Sequence, residues 1–159
     1  MKKLIITFMI ALLFISSISY AKEKSSPEIR QKREAVFTTS QKVYQNRILI
    51  KNLSAEVRTK TKLVKDKIHS HLSSSNSLSA KQLNALKASI SQIKEDQMSL
   101  NNTIGQISPY DKAIRTARLE KDYDTLLILY NKTLQIQKLR IDALNQYNKT
   151  LDTILSQLK

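Results

Sequence analysis

Residues 127–158, LILYNKTLQIQKLRIDALNQYNKTLDTILSQL, decide the fold class of this chain. One row of positions in this segment recurs at alternating steps of three and four residues, which places its members along one side of an α-helix. The row consists of Leu127, Tyr130, Leu134, Gln137, Ile141, Leu144, Asn148, Leu151, Leu155 and Leu158. A second row, Ile136, Leu139 and Ile154, widens this side. The segment therefore predicts a long helix that contacts two neighbours.

The composition of the rest of the chain agrees with a helical protein. Only one Gly and two Pro occur in 159 residues. Hairpins, Rossmann turns and phosphate-binding loops all need glycine for backbone conformations that other residues adopt only at a cost. Sheet architectures are thus excluded, and we expect an all-α fold, an antiparallel bundle of about three long amphipathic helices with coiled-coil-like seams.

The first helix of the mature chain is expected over about residues 27–72. Ser26, Pro27 and Glu28 form a helix start, with a hydroxyl cap, a proline and an acid in the first turn. Apolar residues then recur at every seventh position: Ile29, Val36, Val43, Ile50, Val57 and Val64. The companion row that a packed helix needs is polar: Arg33, Ser40, Arg47, Ser54 and Thr61. Only half of this helix is suited to a core.

The second helix is expected over about residues 79–107. Ser79 and Gln82 have the spacing of a capping box, in which each side chain bonds to the backbone of the other residue. A third helix is expected over about residues 109–158, because Ser108 and Pro109 repeat the start signal, and a break near residue 120 is left open. The seam of the second helix reads Leu83, Leu86, Ile90, Ile93, Gln97, Leu100, Ile104 and Ile107.

The predicted helices differ in length. At the usual rise per residue, residues 27–72 form a helix of about 69 Å, whereas residues 79–107 form one of about 44 Å. Part of the first helix must therefore project, bend or pack elsewhere.

Residues 1–21 have the pattern of a signal peptide. Lys2 and Lys3 precede an apolar run, and small residues at Ser19 and Ala21 predict cleavage after Ala21. An uncleaved anchor is the alternative, but the apolar run is short for a membrane span. We expect a single all-helical domain, residues 22–159, that is exported to the periplasm, the cell envelope or the medium. Loss of the two lysines lowers the formal net charge from +14 to +12.

No catalytic or metal-binding pattern is recognised, so the sequence predicts neither an enzyme nor a cofactor. His69 and His71 are two residues apart on a predicted helix and point in different directions, which does not suit a shared metal. The acids Glu95 and Asp96 are interpreted as solvated surface charges. The seam residues Gln97, Gln137 and Asn148 are interpreted as polar residues that specify the register of packing.

Positive charge on the first helix is the remaining functional signal. It indicates attraction to unfolded or acidic proteins, to an anionic envelope polymer, or to another helical partner. Nucleic acid is disfavoured because no recognised reader motif occurs and few aromatic residues lie among the cations. The candidate binding face combines cations with the sevenfold apolar row: Arg47, Lys51, Arg58, Lys62, Val43, Ile50 and Val57.

The stretch Leu78-Ser79-Ala80-Lys81-Gln82 resembles the L-T-x-x-Q motif of the Spy/CpxP family of small exported helical proteins, with Ser79 in place of threonine. The family usually carries two copies of the motif, and the other candidate here, at Leu53, lacks the glutamine. The resemblance implies an ATP-independent chaperone that holds clients on a basic, partly apolar surface as a homodimer. The alternative is a structural or interaction protein of the coiled-coil type that binds an anionic envelope polymer or another helix.

Overall fold

The computed structural model describes residues 26–73 and 78–158, and helices make up 90% of them. No strand occurs within these two ranges. The helices are α1 Pro27–Ser73, α2 Ala80–Asn101, α3 Ser108–Leu119 and α4 Tyr123–Gln157. The predicted all-α fold class is confirmed. The predicted signal peptide, residues 1–21, lies outside the described residues.

The chain divides into two units, residues 1–31 and residues 32–159. The described part of the first unit is the start of α1, where the backbone N–H of Ile29 donates to the Ser26 hydroxyl at 3.3 Å. Pro27 and the acid Glu28 follow this cap, so the helix begins where the sequence predicts it.

In the second unit, α1 runs parallel to α4. Lys32 Nζ donates to Asp124 Oδ2 at 2.8 Å, and Lys60 Nζ donates to Asp152 Oδ2 at the same distance. Both pairs are separated by 92 residues. A constant separation along two helices means that they advance in the same direction.

Helices α2 and α3 both run antiparallel to α4. Gln97 on α2 donates to the hydroxyl of Tyr147, 50 residues away, whereas Arg118 on α3 donates to Tyr130, only 12 residues away. Since the separation shrinks along the chain, the two helices pass α4 in the opposite direction, first along its C-terminal half and then along its N-terminal half. The bundle is therefore up-down-up, with α2 and α3 together as the descending member.

The chain reverses between α3 and α4, at residues 120–122. The N–H of Asp122 bonds to Ala117 O at 2.9 Å and that of Lys121 bonds to Arg118 O at 3.3 Å, the two bonds of a Schellman motif. Lys121 has the left-handed φ of 56° that this motif requires and that glycine usually supplies. Asp122 then caps α4 by accepting the N–H of Thr125 at 3.0 Å. The side-chain and backbone hydrogen bonds from Thr125 lower the pKa of Asp122 below its usual value.

One predicted helix boundary is wrong. The second helix ends at Asn101 instead of residue 107, because residues 102–107 form a turn in which Gly105 has a φ of 79°, outside the range of a right-handed helix. The break near residue 120 that the sequence left open is present, so residues 109–158 form parts of two helices, α3 and α4. Ser108 and Pro109 do start a helix, but that helix continues the direction of α2, and the chain reverses only after Leu119.

The core lies along α4. Its lower part, along the C-terminal half of α4, joins Val57 and Val64 of α1 to Leu86 of α2. Its upper part, along the N-terminal half of α4, joins Val43 of α1 to Ala117 of α3. Residues of α4 contribute to both parts: Leu126, Tyr130, Leu144, Tyr147, Leu151 and Ile154, with Leu158 just after the helix end. From Val36 onward, the sevenfold row of α1 is buried or half-buried, as expected of a seam.

The whole of α1 beyond residue 31 has a partner on α4. Lys32 contacts Asp124 near one end, and His71 Nε2 lies 3.0 Å from Leu158 O near the other. The greater length of α1 is accommodated because α3 extends the descending member past the end of α2. The sequence left three alternatives for the extra length of α1, namely that it projects, bends or packs elsewhere. The structure shows that it packs, against α4 and α3.

Two of the three polar seam residues connect helices. Gln137 is buried on α4 and its Nε2 donates to Val43 O of α1 at 3.0 Å, while Gln97 Nε2 donates to the Tyr147 hydroxyl at 2.8 Å. Asn148 is also buried, but its Oδ1 has no hydrogen-bond partner among the described residues. The first two contacts support the interpretation that polar seam residues specify register.

The core position of Leu151, which is fully buried, gives a direct test of the packing. Leu151→Ala should lower the free energy of unfolding by about 2–5 kcal/mol, because it leaves a cavity between helices. Leu139 is the matched control on the same helix, since it is 59% exposed despite its predicted place in the second apolar row. Leu139→Ala should change stability by less than about 0.5 kcal/mol in urea unfolding. Similar losses for the two variants would contradict the orientation of α4.

The capping box of α2 is present. Ser79 Oγ accepts the N–H of Gln82 at 3.3 Å, and Gln82 Oε1 accepts the N–H of Ser79 at 3.0 Å. Ser79→Ala should therefore cost about 1 kcal/mol of stability, measured by chemical unfolding followed by circular dichroism. Ser91, exposed within α2, is the control, and Ser91→Ala should have an effect below about 0.5 kcal/mol. An equal effect of both changes would mean that the cap contributes nothing in solution.

Candidate binding face and cleft

The exposed cations of α1 form a continuous row. Arg47, Lys51, Arg58 and Lys62 are all exposed, and at 3.6 residues per turn they lie within about 60° of one another around the helix axis. None of them forms an ion pair with a residue in the described part of the chain. We call these four residues the cationic row.

The apolar half of the predicted binding face is not on this surface. Val43 and Val57 are buried in the core and Ile50 is half-buried against it. These three positions lie about 90° from the cationic row around the helix, because a sevenfold row follows the contact with the neighbouring helices. The prediction that all seven residues share one exposed face is therefore wrong.

Other apolar residues of α1 are exposed beside the cationic row, and the spacing rule did not select them. Phe37 is 49% exposed, Tyr44 58% and Ile48 43%. They lie within about 40° of one another on the side of the row that faces away from the core. The N-terminal half of this surface is thus both cationic and apolar, whereas between Lys51 and Lys62 the only apolar residue on this side of the helix is Ala55.

A cleft of about 650 Å³ lies between α1, α3 and α4. The side of α1 that faces α3 carries the polar residues Ser40 and Arg47 where a second apolar row would be needed for close packing. The two helices therefore do not pack tightly against each other beside Val43, and the cleft lies in the space between them. The lining residues are Ser40, Val43, Tyr44 and Arg47 of α1, Ile107 before α3, Asp111, Ile114, Arg115, Arg118 and Leu119 of α3, and Tyr130 and Thr133 of α4. Val43 and Arg47 are the members of the predicted face that line it.

The charge of the cleft is positive. Arg47, Arg115 and Arg118 line it together with one carboxylate, that of Asp111. No ion pair joins Asp111 to any of the three arginines. An anion that enters the cleft therefore meets guanidinium groups whose charges are not already neutralised by a bound carboxylate.

One of the three arginines is held in place by a buried tyrosine. The Tyr130 hydroxyl accepts Arg118 Nε at 2.9 Å and also accepts Nη2. The guanidinium carbon is 5.7 Å from the ring centre. Because two nitrogens reach the hydroxyl, we assign this contact to hydrogen bonding at the ring edge and not to stacking on the ring face. The remaining N–H groups of Arg118 stay available to a ligand.

Lys60 differs from the cationic row because it is already neutralised. Its Nζ is 2.9 Å from Glu56 and 2.8 Å from Asp152. Partial burial lowers the pKa of Lys60, but hydrogen bonds and attraction from Asp152 and Glu56 outweigh this effect and raise it above its usual value. This cation joins α1 to α4 and is not available to a partner.

The interpretation of Asp96 as a solvated charge is wrong. Asp96 is only 4% exposed, and its carboxylate accepts the Thr150 hydroxyl at 2.6 Å and Gln92 Nε2 at 3.2 Å. Thr150 lies just before the buried seam residue Leu151, and nothing in the sequence around it indicates a buried carboxylate partner on another helix. The pair joins α2 to α4, and its two donors offset part of the cost of burying the carboxylate.

Within the described residues, no group of three or more potential metal ligands comes together. His69 is exposed, whereas His71 contacts the carbonyl of Leu158. In the same part of the chain, none of the helices has both the length and the apolar character needed to cross a membrane.

Comparison of the chain with protein families, with curated proteins and with solved structures finds no match.

The contact between Arg118 and Tyr130 can be tested by removing the hydroxyl. Tyr130→Phe should lower the free energy of unfolding by about 0.5–1.5 kcal/mol, because the buried ring is kept and only the hydrogen bonds are lost. Tyr44→Phe is the control, since that ring is 58% exposed, and it should change stability by less than about 0.5 kcal/mol. Thermal unfolding of both variants measures the difference. If Tyr130→Phe behaves like Tyr44→Phe, the hydroxyl does not hold Arg118 in solution.

Proposed function

We propose that this chain is an exported basic binding protein that acts as an ATP-independent, chaperone-like holder of unfolded or acidic proteins. The observation that carries the proposal is the cationic row of α1, whose four charges have no ion-pair partner among the described residues, beside exposed Phe37, Tyr44 and Ile48. Export is inferred from the signal-peptide pattern of residues 1–21.

The charged and the apolar side chains of this surface suit two successive steps of client binding. Unpaired positive charge attracts acidic stretches of a client over distance and speeds the encounter. Exposed apolar side chains then exclude water from the apolar residues that an unfolded client displays. The resemblance of Leu78–Gln82 to the Spy/CpxP motif points to the same activity.

A second candidate function is the binding of an anionic envelope polymer. It is favoured by the segment from Lys51 to Lys62, where the exposed charges have almost no apolar neighbours. A polymer of repeating negative charges needs only a row of cations, and its binding weakens strongly with salt. Binding of another helix through the sevenfold row receives no such support, since Val43 and Val57 already lie in the core.

Substitution of the cationic row distinguishes charge-driven binding from the general effect of net charge. With Arg47, Lys51, Arg58 and Lys62 all replaced by Gln, suppression of client aggregation in a light-scattering assay should weaken, mainly at low salt. The control replaces four exposed lysines elsewhere with Gln, which removes the same charge: Lys81, Lys94, Lys132 and Lys138. This control should retain most of the activity. Equal losses in the two variants would mean that the row has no special role.

The apolar part is tested by replacing Phe37, Tyr44 and Ile48 with Ser. Because these residues are exposed, the fold should be retained, as circular dichroism would show. A chaperone-like protein should lose client binding at every salt concentration, whereas a polymer binder should keep its binding to the polymer. If neither variant alters the suppression of aggregation, the proposed function is wrong. The mass of the protein in solution, measured beside the assay, tests the homodimer.

A further inference from the structure

The cleft between α1, α3 and α4 combines fixed positive charge, an apolar rim and enough volume for side chains of a ligand. We infer that it is a specific site for an acidic polypeptide segment, in which carboxylate side chains alternate with apolar ones. The inference rests on the proposed function and assigns the class of ligand and the residues that recognise it.

The charge of the cleft supports a carboxylate ligand. Arg118 is held by the Tyr130 hydroxyl through two of its nitrogens, so its planar guanidinium group is oriented before a ligand arrives. Arg47 and Arg115 face the same space from α1 and α3. A carboxylate can accept two parallel N–H donors from one guanidinium group, and an oriented arginine loses less entropy when it forms these bonds.

The size of the cleft supports a ligand larger than a single ion. Its volume of about 650 Å³ falls within the range of about 300–1,000 Å³ that is usual for ligand sites. Its walls come from three helices.

The rim of the cleft favours a polypeptide over a nucleic acid or a purely anionic polymer. Leu119 is 81% exposed and Tyr44 is 58% exposed, and both line the cleft. The exposed leucine gains from contact with an apolar side chain, whereas Tyr44 alone provides a single ring and not the series of stacking surfaces that successive nucleobases use. A polymer made only of charged and hydroxylated units would leave both side chains without an apolar contact.

The experiment uses a fluorescently labelled peptide of alternating Asp and Leu residues and measures its binding to the purified protein by anisotropy. Arg47→Gln combined with Arg115→Gln should weaken binding by about tenfold or more, because each change removes a charge-assisted hydrogen bond. The matched control, Lys81→Gln combined with Lys94→Gln, removes two exposed charges of α2 that lie outside both the cleft and the cationic row. It should weaken binding by less than about threefold, since exposed charges at a distance are screened. Circular dichroism checks that both variants are folded.

The apolar half of the site is tested with Leu119→Ser and with a peptide in which Ser replaces every Leu. Each change should weaken binding at low and at high salt, and a peptide with Asn in place of Asp should bind poorly to the unchanged protein. Equal weakening by the two charge pairs, or tighter binding of a single-stranded oligonucleotide or polyphosphate than of the peptide, would overturn the assignment. The aggregation assay separates the two proposals. Normal suppression of aggregation without peptide binding overturns the cleft site and leaves the proposed function standing, whereas peptide binding without suppression overturns the proposed function.

Discussion

The contact of one apolar row of α1 with α4 is the constraint on which the rest of the structure depends. Val43, Val57 and Val64 are the buried members of this row, and each packs against side chains of the bundle core. A helix that is committed to a core along a single row leaves the rest of its circumference to solvent. For this reason the cationic row is exposed, and α3 stands away from α1 far enough to form a cleft.

Positive charge has two different roles on α1. Lys60 is paired with Glu56 and Asp152 and helps to hold α1 beside α4, while the cationic row has no ion-pair partner among the described residues. A formal net charge of +14 opposes compaction through self-repulsion, but it also favours encounter with anions. The arginines of the cleft and the cations of the row are exposed and have no ion-pair partner among the described residues, so their charges remain available to an anionic ligand, which is the physical reason to treat the cleft and the row as binding surfaces.

The descending member of the bundle, α2 and α3 together, covers the core along α1 and also supplies one wall of the cleft. Helix α2 ends at Asn101 and covers only part of α1, and after the turn at Gly105 the chain continues in the same direction as α3, which covers the upper part of the core through Ala117. This second short helix brings Arg115 and Arg118 opposite Arg47.

The sequence by itself determined the features that act within one or two helical turns. Periodicity predicts the helices, and local hydrogen-bonding residues predict the caps at Ser26 and Ser79, because these signals need no partner elsewhere in the chain. The alternation of three and four residues selects some of the buried positions of α4: Tyr130, Gln137, Leu144, Asn148 and Leu151. The second row adds the buried Ile136 and Ile154, although its third member, Leu139, is exposed. Positive charge on α1 is equally visible, since an exposed charge follows from composition and helical spacing.

Only the tertiary structure decided which of the possible partners each surface meets. The reversal after Leu119 depends on a lysine in a left-handed conformation, and a sequence rule looks for glycine there. The burial of Asp96 depends on Thr150 of another helix, and the cleft depends on arginines that are far apart in sequence. The same holds for Val43, Ile50 and Val57, whose row could serve a core or a partner equally well until α4 is seen to cover it. Periodicity shows which side of a helix is apolar, but the surface that covers it is set by contacts between distant segments.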